Sequence, residues 1–173
     1  MKLLGLVLCA MMIAYSPMWP LGDNPSVGDP FIIVQKSRHQ LTFVNQNHVV
    51  FQAPVATGKT AALTPEGLFT VTVKAVQPYY RRKNIPGGAP NNPLGSRWIG
   101  FDAKETDGRL FGIHGTNQPD SIGQNVSAGC IRMDRDNLER LYEDVPIGTK
   151  ILITNKKQSP QALAKAYGAI GNN

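Results

Sequence analysis

Two short segments, His114-Gly115-Thr116 and Ser127-Ala128-Gly129-Cys130-Ile131-Arg132, bring an imidazole, a thiol and a guanidinium into one glycine-punctuated stretch. A thiol with a histidine upstream is the smallest kit for nucleophilic acyl transfer. An unperturbed thiol is only about 3% thiolate at pH 7. A histidine within hydrogen-bond reach, or a cation such as Arg132, raises that fraction. Backbone N–H groups around Gly129-Cys130 can hold a developing oxyanion, each donor being worth about 10²–10³ in rate. Gly129 suits this because it lets the backbone turn sharply and approach a substrate closely. Each residue taken alone also has a plainer use: a strand histidine as structure, a buried cysteine as a small hydrophobe, Arg132 as a partner for Asp134 or Asp136.

The elements that must position these groups read as mainly β. If residues 129–133 are extended, alternation sends Cys130 and Arg132 to one face, with Ile131 and Met133 to the other. Ile113 and His114 divide in the same way. The connection between them contains Gly115, Pro119, Gly123 and Gly129 and can fold back to bring imidazole towards sulfur. Strands are predicted at 31–34, 40–44, 48–51 (extending towards 57), 69–73, 98–101, 110–114 and 150–154, with a hairpin turn at 36–39. Two short helices are predicted. Asp134 caps one that carries Leu138, Leu141 and Tyr142 on a single face, and Ser159-Pro160 starts another with an apolar stripe from Leu163 to Ile170. The long loop between Pro78 and Pro93 holds two tyrosines, Arg81-Arg82-Lys83 and Gly87-Gly88 as hinge candidates. It suits either a lid over an anionic, peptide-like substrate or a surface excursion.

Composition narrows the class. The 173 residues are 42% hydrophobic and only 17% charged, with 17 Gly and 13 Pro, which favours short strands and many turns in one domain. The net charge of +6 suits an anionic cell-envelope polymer, or equally serves only to keep the domain in solution. No dense basic run with interleaved aromatics is present, so nucleic acid is not the expected partner. Lys2 followed by the apolar run 3–15 reads as a signal peptide or an N-terminal anchor over 1–20, with membrane association through 3–15 as the second reading. A Pro/Gly-rich linker follows over 21–30, then a catalytic domain over 31–154 and a helical tail over 155–173. Of the two cysteines, Cys9 falls inside the apolar run. Once that run is removed, Cys130 has no intramolecular partner, which points to use rather than to a disulfide.

The same residues closely resemble the L,D-transpeptidase catalytic domain, or YkuD domain. That family's signature pairs a His-Gly-Thr element with Ser-x-Gly-Cys-[Ile/Val]-Arg some fifteen residues on. Thr57-Gly58-Lys59, Thr64-Pro65-Glu66-Gly67, Asn92-Pro93-Leu94-Gly95 and Gly148-Thr149 extend the likeness over residues 31–154. Ala128 departs from it, since many members carry His there. The resemblance implies a β-sandwich or barrel-like catalytic domain that cross-links peptidoglycan stem peptides. Cys130 would be the acyl-accepting nucleophile and His114 the base that later serves as acid. Gly115, Ser127, Gly129 and Arg132 would shape the site, bind substrate or support the oxyanion. It further implies capture by carbapenem-type inhibitors and an exported, cell-wall location, without a cofactor.

Three alternatives stay open at this level: an L,D-carboxypeptidase using water as acceptor, another cysteine hydrolase or sortase, and a non-catalytic wall-binding protein. Weaker signals lead elsewhere only partway. The segment 53–60 approaches a phosphate-binding loop but lacks its first glycine, and Thr64-Pro65 falls where a helix should begin. His39, His48 and His114 lack zinc-site spacing.

Overall fold

Short runs of β-branched and aromatic residues, most of them broken by Gly, Pro or Asn, build the chain as strands. The structure, a computed structural model, describes residues 22–171. The elements are β1 Phe31–Gln35, β2 Gln40–Asn45, β3 His48–Gly58, β4 Gly67–Val76, β5 Arg97–Phe101, β6 Phe111–His114, β7 Asn125–Ser127, β8 Ile131–Met133, α1 Arg135–Asp144, β9 Lys150–Thr154 and α2 Pro160–Ala166. Their spatial order is β2-β1-β9-β4-β5-β6-β8-β3, and β3 pairs back onto β2. The sheet is therefore a closed, barrel-like structure, with β7 added beside the end of β3.

Closure depends on the two long strands. The first half of β3 pairs with β2, and then Val55 and Ala56 pair with β8. Similarly, β4 pairs with β9 over Gly67–Thr70 and with β5 over Val71–Val76. Each long strand thus passes from one half of the sheet to the other and removes the free edges that open sheets must protect.

Side-chain alternation explains both the interior and its covering. In β1, Ile32 and Val34 enter the central core while Phe31 and Ile33 face outward, yet all four are fully buried. The outward pair is covered by α2, whose Leu163 and Ala164 pack with Leu152 of β9 in a second cluster. Strand β1 is a continuous apolar run because both of its faces are covered. Helix α1 follows β8 after a single residue. That residue, Asp134, accepts from the Asn137 N–H at 3.1 Å as the N-cap, and Leu138 and Leu141 point into the central core. Ser159 caps α2 in the same manner, accepting from the Ala162 N–H at 3.2 Å.

Several expectations change in detail. Residues 36–39 form a 3-10 turn over Lys36–Arg38 and end on left-handed His39, in place of a simple hairpin turn. Strand β7 has no counterpart in the sequence reading, because three residues are too few for a periodic signal. The extended segment expected at 129–133 is shorter: Gly129 has φ +138 and Cys130 stands at the threshold of β8. Within the Pro/Gly segment, Gly28 donates to Ala169 O and accepts from the Gln46 N–H, so this part is bonded into the domain. The apolar run 3–15 and Cys9 lie outside the described residues.

Phe101 is fully buried and stacks with Phe69 at 5.7 Å and Phe111 at 6.4 Å between ring centroids. Phe101→Ala is expected to lower unfolding stability by about 3–5 kcal/mol in a denaturant titration. A loss below about 1 kcal/mol would mean that this aromatic stack does not organise the core.

Candidate active site

Strands β6 and β8 lie side by side and parallel, with Ile113 opposite Ile131 and His114 opposite Arg132. Both isoleucines are fully buried in the barrel core, which fixes which faces the alternate residues take. His114 and Arg132 share the opposite face, and Cys130 joins them two residues before Arg132. The backbone N–H of Gly112, a residue that adds no side chain, reaches the Cys130 thiol. His114, Cys130, Arg132, Ser127 and Ala128 line one cavity of about 680 Å³.

Each group is held by named contacts. His114 is 5% exposed, and its Nδ1 lies 2.6 Å from the carbonyl oxygen of Gly115. A carbonyl only accepts, so Nδ1 carries the proton and Nε2 keeps its lone pair. On its flat side the imidazole stacks on Trp98, with centroids 5.6 Å apart and planes at 14°. Trp98 is fixed by its Nε1–H donating to Gly108 O at 2.8 Å. It fits there because Gly112 lacks a Cβ: one added at 112 would come within 2.6 Å of the indole. Gly115 is needed for packing too, since a Cβ there would lie 2.9 Å from the Gly95 Cα.

The loop that carries Cys130 is stapled by Ser127. Its Oγ donates to Cys130 O at 2.6 Å and accepts from the Gly129 N–H at 3.0 Å. The Gly129 N–H is therefore occupied, and the two amides expected to face an oxyanion reduce to one. Among the described residues no acceptor takes the Cys130 N–H. The Cys130 thiol is half-buried and donates to Leu110 O at 3.5 Å. Arg132 Nη1 donates to Gln118 Oε1 at 3.2 Å and Ser121 Oγ at 3.4 Å, which ties the 115–129 connection to the site wall.

Burial favours the uncharged form of both the imidazole and the thiol. Burial pushes the His114 imidazole down to about 4, and the Arg132 charge pushes the same way against the Gly115 hydrogen bond. Burial also pushes the Cys130 thiol up. The Gly112 N–H and the charges of Arg82 and Arg132 act in the other direction without overcoming it. Arg132 thus favours the thiolate, as its position suggests, but desolvation is the larger effect.

Most of the remaining lining is apolar or aromatic, including Val73, Tyr79, Tyr80, Leu94 and Phe111, but its charged side chains are all cationic. Arg81, Arg82, Arg109 and Arg132 line it, and among the described residues no carboxylate does, although Arg109 is paired with Asp107 at 2.7 Å. Tyr79 and Leu110 stand half exposed at its mouth. The 78–93 loop forms this rim and is firmly tied down. Buried Asn92 donates to Pro78 O at 2.9 Å and Pro86 O at 3.0 Å, and it accepts from the Leu94 N–H at 2.9 Å. Gly87 packs directly on the Gln77 carbonyl, where any Cβ would overlap it, so it marks a close approach and not a free hinge. Among the described residues no group of three His, Cys, Asp or Glu is placed to hold a metal ion. Trp98 and Gly112 were not picked out from the sequence. Only the β5–β6 register, which sets Trp98 against His114, reveals them.

A thiol and a neutral imidazole thus line one cavity in the wall of a closed β-barrel. Residues 29–153 match the family described as YkuD, the L,D-transpeptidase catalytic domain, and the chain belongs to that family. YqjB of Bacillus subtilis, named as a candidate L,D-transpeptidase, is 54% identical over 163 residues, covering 94% of this chain and 93% of its own. YkuD of Bacillus subtilis, named in the same way, is 35% identical over 134 residues, covering 75% and 71%. Among solved structures, Bd1075 of Bdellovibrio bacteriovorus aligns with a TM-score of 0.59 at 20% identity, over 80% of this chain and 53% of its own. L,D-transpeptidase 3 of Mycobacterium tuberculosis aligns at 0.57 and 21%, over 72% and 60%. The L,D-transpeptidase LdtMt1, solved in complex with imipenem, aligns at 0.54 and 24%, over 72% and 58%. These structures share the fold, and the chain spans somewhat over half of their length.

The imidazole gives a pH test. Its proton-binding strength is lower in the fold than in the unfolded chain, whose histidine titrates near 6.5. Between these values the unfolded chain binds more protons, so stability is complete above about pH 6.5 and is lost as the pH falls towards 4. The His114 resonances are expected to titrate near pH 4 by NMR. The associated stability loss is on the order of 3 kcal/mol and should be absent in His114→Gln. A midpoint near 6.5 would show the imidazole to be solvated.

Proposed function

We propose that this chain is an exported peptidoglycan L,D-transpeptidase working through a Cys130 thioester. The observation that carries the reading is the common cavity of Cys130 and His114, walled by arginines and free of carboxylates. Such a cavity suits a peptide that bears several carboxylates, as a stem peptide does.

The chemistry follows from the neutral pair. The Cys130 sulfur attacks the carbonyl of the diamino acid at the third stem position while its proton passes to Nε2 of His114. The carbonyl oxygen becomes an oxyanion facing the Cys130 N–H, the donor left without a partner. Collapse breaks the C–N bond, and the imidazolium gives its proton to the leaving nitrogen of the terminal D-alanine. An amine on a neighbouring stem then attacks the thioester and loses a proton to His114. The new amide joins third residue to third residue, and the thiol recovers its proton. Water in place of the amine would yield a carboxypeptidase. Because both groups start neutral, proton transfer accompanies attack and no standing thiolate is needed. Trp98 and the Gly115 carbonyl keep Nε2 as the basic nitrogen throughout.

Export would be carried by Lys2 and the apolar run 3–15, placing the enzyme at the cell wall with its basic surface against anionic polymers. The imipenem complex of LdtMt1 supports carbapenems as inhibitors here as well.

Incubation with imipenem should add one drug mass to the intact protein, and Cys130→Ala should add none while keeping the native circular dichroism spectrum. His114→Ala is expected to slow acylation by about 10²–10⁴. Full acylation of Cys130→Ala would remove the mechanism. In wall digests, new third-to-third cross-links support the transpeptidase. Shortened stems without cross-links favour the carboxypeptidase, and wall retention with unchanged muropeptides favours a binding protein. Arg82 has no ion-pair partner among the described residues. Arg82→Gln is expected to raise KM for a tetrapeptide stem about tenfold with little change in kcat, whereas an equal KM would remove Arg82 from substrate binding.

A further inference from the structure

Behind the nucleophile loop, away from the cavity, the segment from Lys59 to Glu66 presses against Gly129. A Cβ at Gly129 would come within 2.7 Å of Leu63 O, so the two backbones touch there. Thr64 lies at this contact and is 1% exposed. Its Oγ1 accepts from the Gly58 N–H at 2.8 Å and donates to the carbonyl oxygen of Gly129 at 2.9 Å. Both roles are dictated by chemistry, since the amide only donates and the carbonyl only accepts. The hydroxyl therefore has one orientation.

That bond fixes a peptide plane. In a trans peptide the C=O of one residue and the N–H of the next point in opposite directions. The peptide from Gly129 to Cys130 has its oxygen held towards Thr64, so the Cys130 N–H points away from that segment. Cys130 lines the cavity on that side, whereas Leu63 and Thr64 do not. The Thr64 segment is itself anchored from the barrel: the buried Lys36 Nζ donates to Ala61 O at 2.6 Å and Thr64 O at 2.9 Å, and lies 3.1 Å from Glu66 Oε1.

We propose that Thr64 is a positioning residue for acyl transfer: through Gly129 O it aims the Cys130 N–H at the place where the oxyanion forms. The proposal rests on the cysteine acyl-transfer reading above. Thr64 touches neither the sulfur nor the substrate, so its removal affects a carbonyl attack and leaves the reactivity of the thiol alone.

Two reactions of Cys130 separate these effects. Acylation by imipenem passes through an oxyanion. Alkylation by iodoacetamide is a displacement at carbon, with iodide leaving, and passes through none. Both are followed by intact mass at one pH on the full chain. Thr64→Val is expected to slow acylation by about ten- to a hundredfold with alkylation within about twofold of wild type, and Thr64→Ser, which keeps the hydroxyl, to recover most of the acylation rate. Unchanged acylation in Thr64→Val, a parallel fall in both reactions, or a Thr64→Ser variant as slow as Thr64→Val overturns the inference. Should Thr64→Val lose its native circular dichroism spectrum, Thr64→Ala is judged by the same outcomes. If the wild-type chain takes up no imipenem, the acyl-transfer reading falls and takes this inference with it. Normal wild-type acylation beside an unaffected variant removes this inference alone.

Discussion

The parallel pairing of β6 with β8 is the constraint on which the site depends. It joins only Ile113 to Ile131 and His114 to Arg132. A slip of one residue in either strand would turn its isoleucine out of the core and its polar neighbours into it. The buried isoleucines oppose such a slip, and closure of the sheet through β3 and β2 leaves β8 no alternative partner on that side. Gly112, two residues before His114 on β6, has no side chain and so leaves Trp98 room to lie flat against the imidazole.

Burial then decides the charge state. A histidine surrounded by Trp98 and the barrel wall resists protonation, and a thiol in the same wall resists ionisation. Arg132 reinforces the first effect, Arg82 and Arg132 oppose the second, and desolvation prevails for the thiol. The site therefore differs from one that stores an imidazolium–thiolate pair. A sulfur held protonated in this way resists adventitious oxidation and alkylation, and Cys130 has no disulfide partner among the described residues.

Much of this was legible in the residues. Alternation alone separates Cys130 and Arg132 from Ile131 and Met133, and the two helix caps are plain in Asp134 and Ser159. The resemblance to the L,D-transpeptidase catalytic domain, resting on 114–116 and 127–132, agrees with the family match over 29–153. What sequence periodicity does not carry is information about register between distant strands. Trp98 faces His114 through the β5–β6 pairing, and Thr64 reaches Gly129 across 65 residues. Nor does the sequence show whether desolvation or a neighbouring charge governs a thiol, because that depends on how much of the wall closes around it. Strand β7 was too short to read, and the glycines of the 78–93 loop looked mobile in sequence although Gly87 is a packing contact.

The covering of β1 by α2 has a consequence for where this domain can be cut. The family match stops at residue 153, before α2 begins at Pro160. Trimmed at that boundary, the chain would keep every residue of the thiol site yet bare a greasy stripe of Phe31, Ile33 and Leu152. Such a stripe on a barrel wall invites self-association. The last helix is thus the domain's own cover over this wall of the barrel, although it lies beyond the span of the family match.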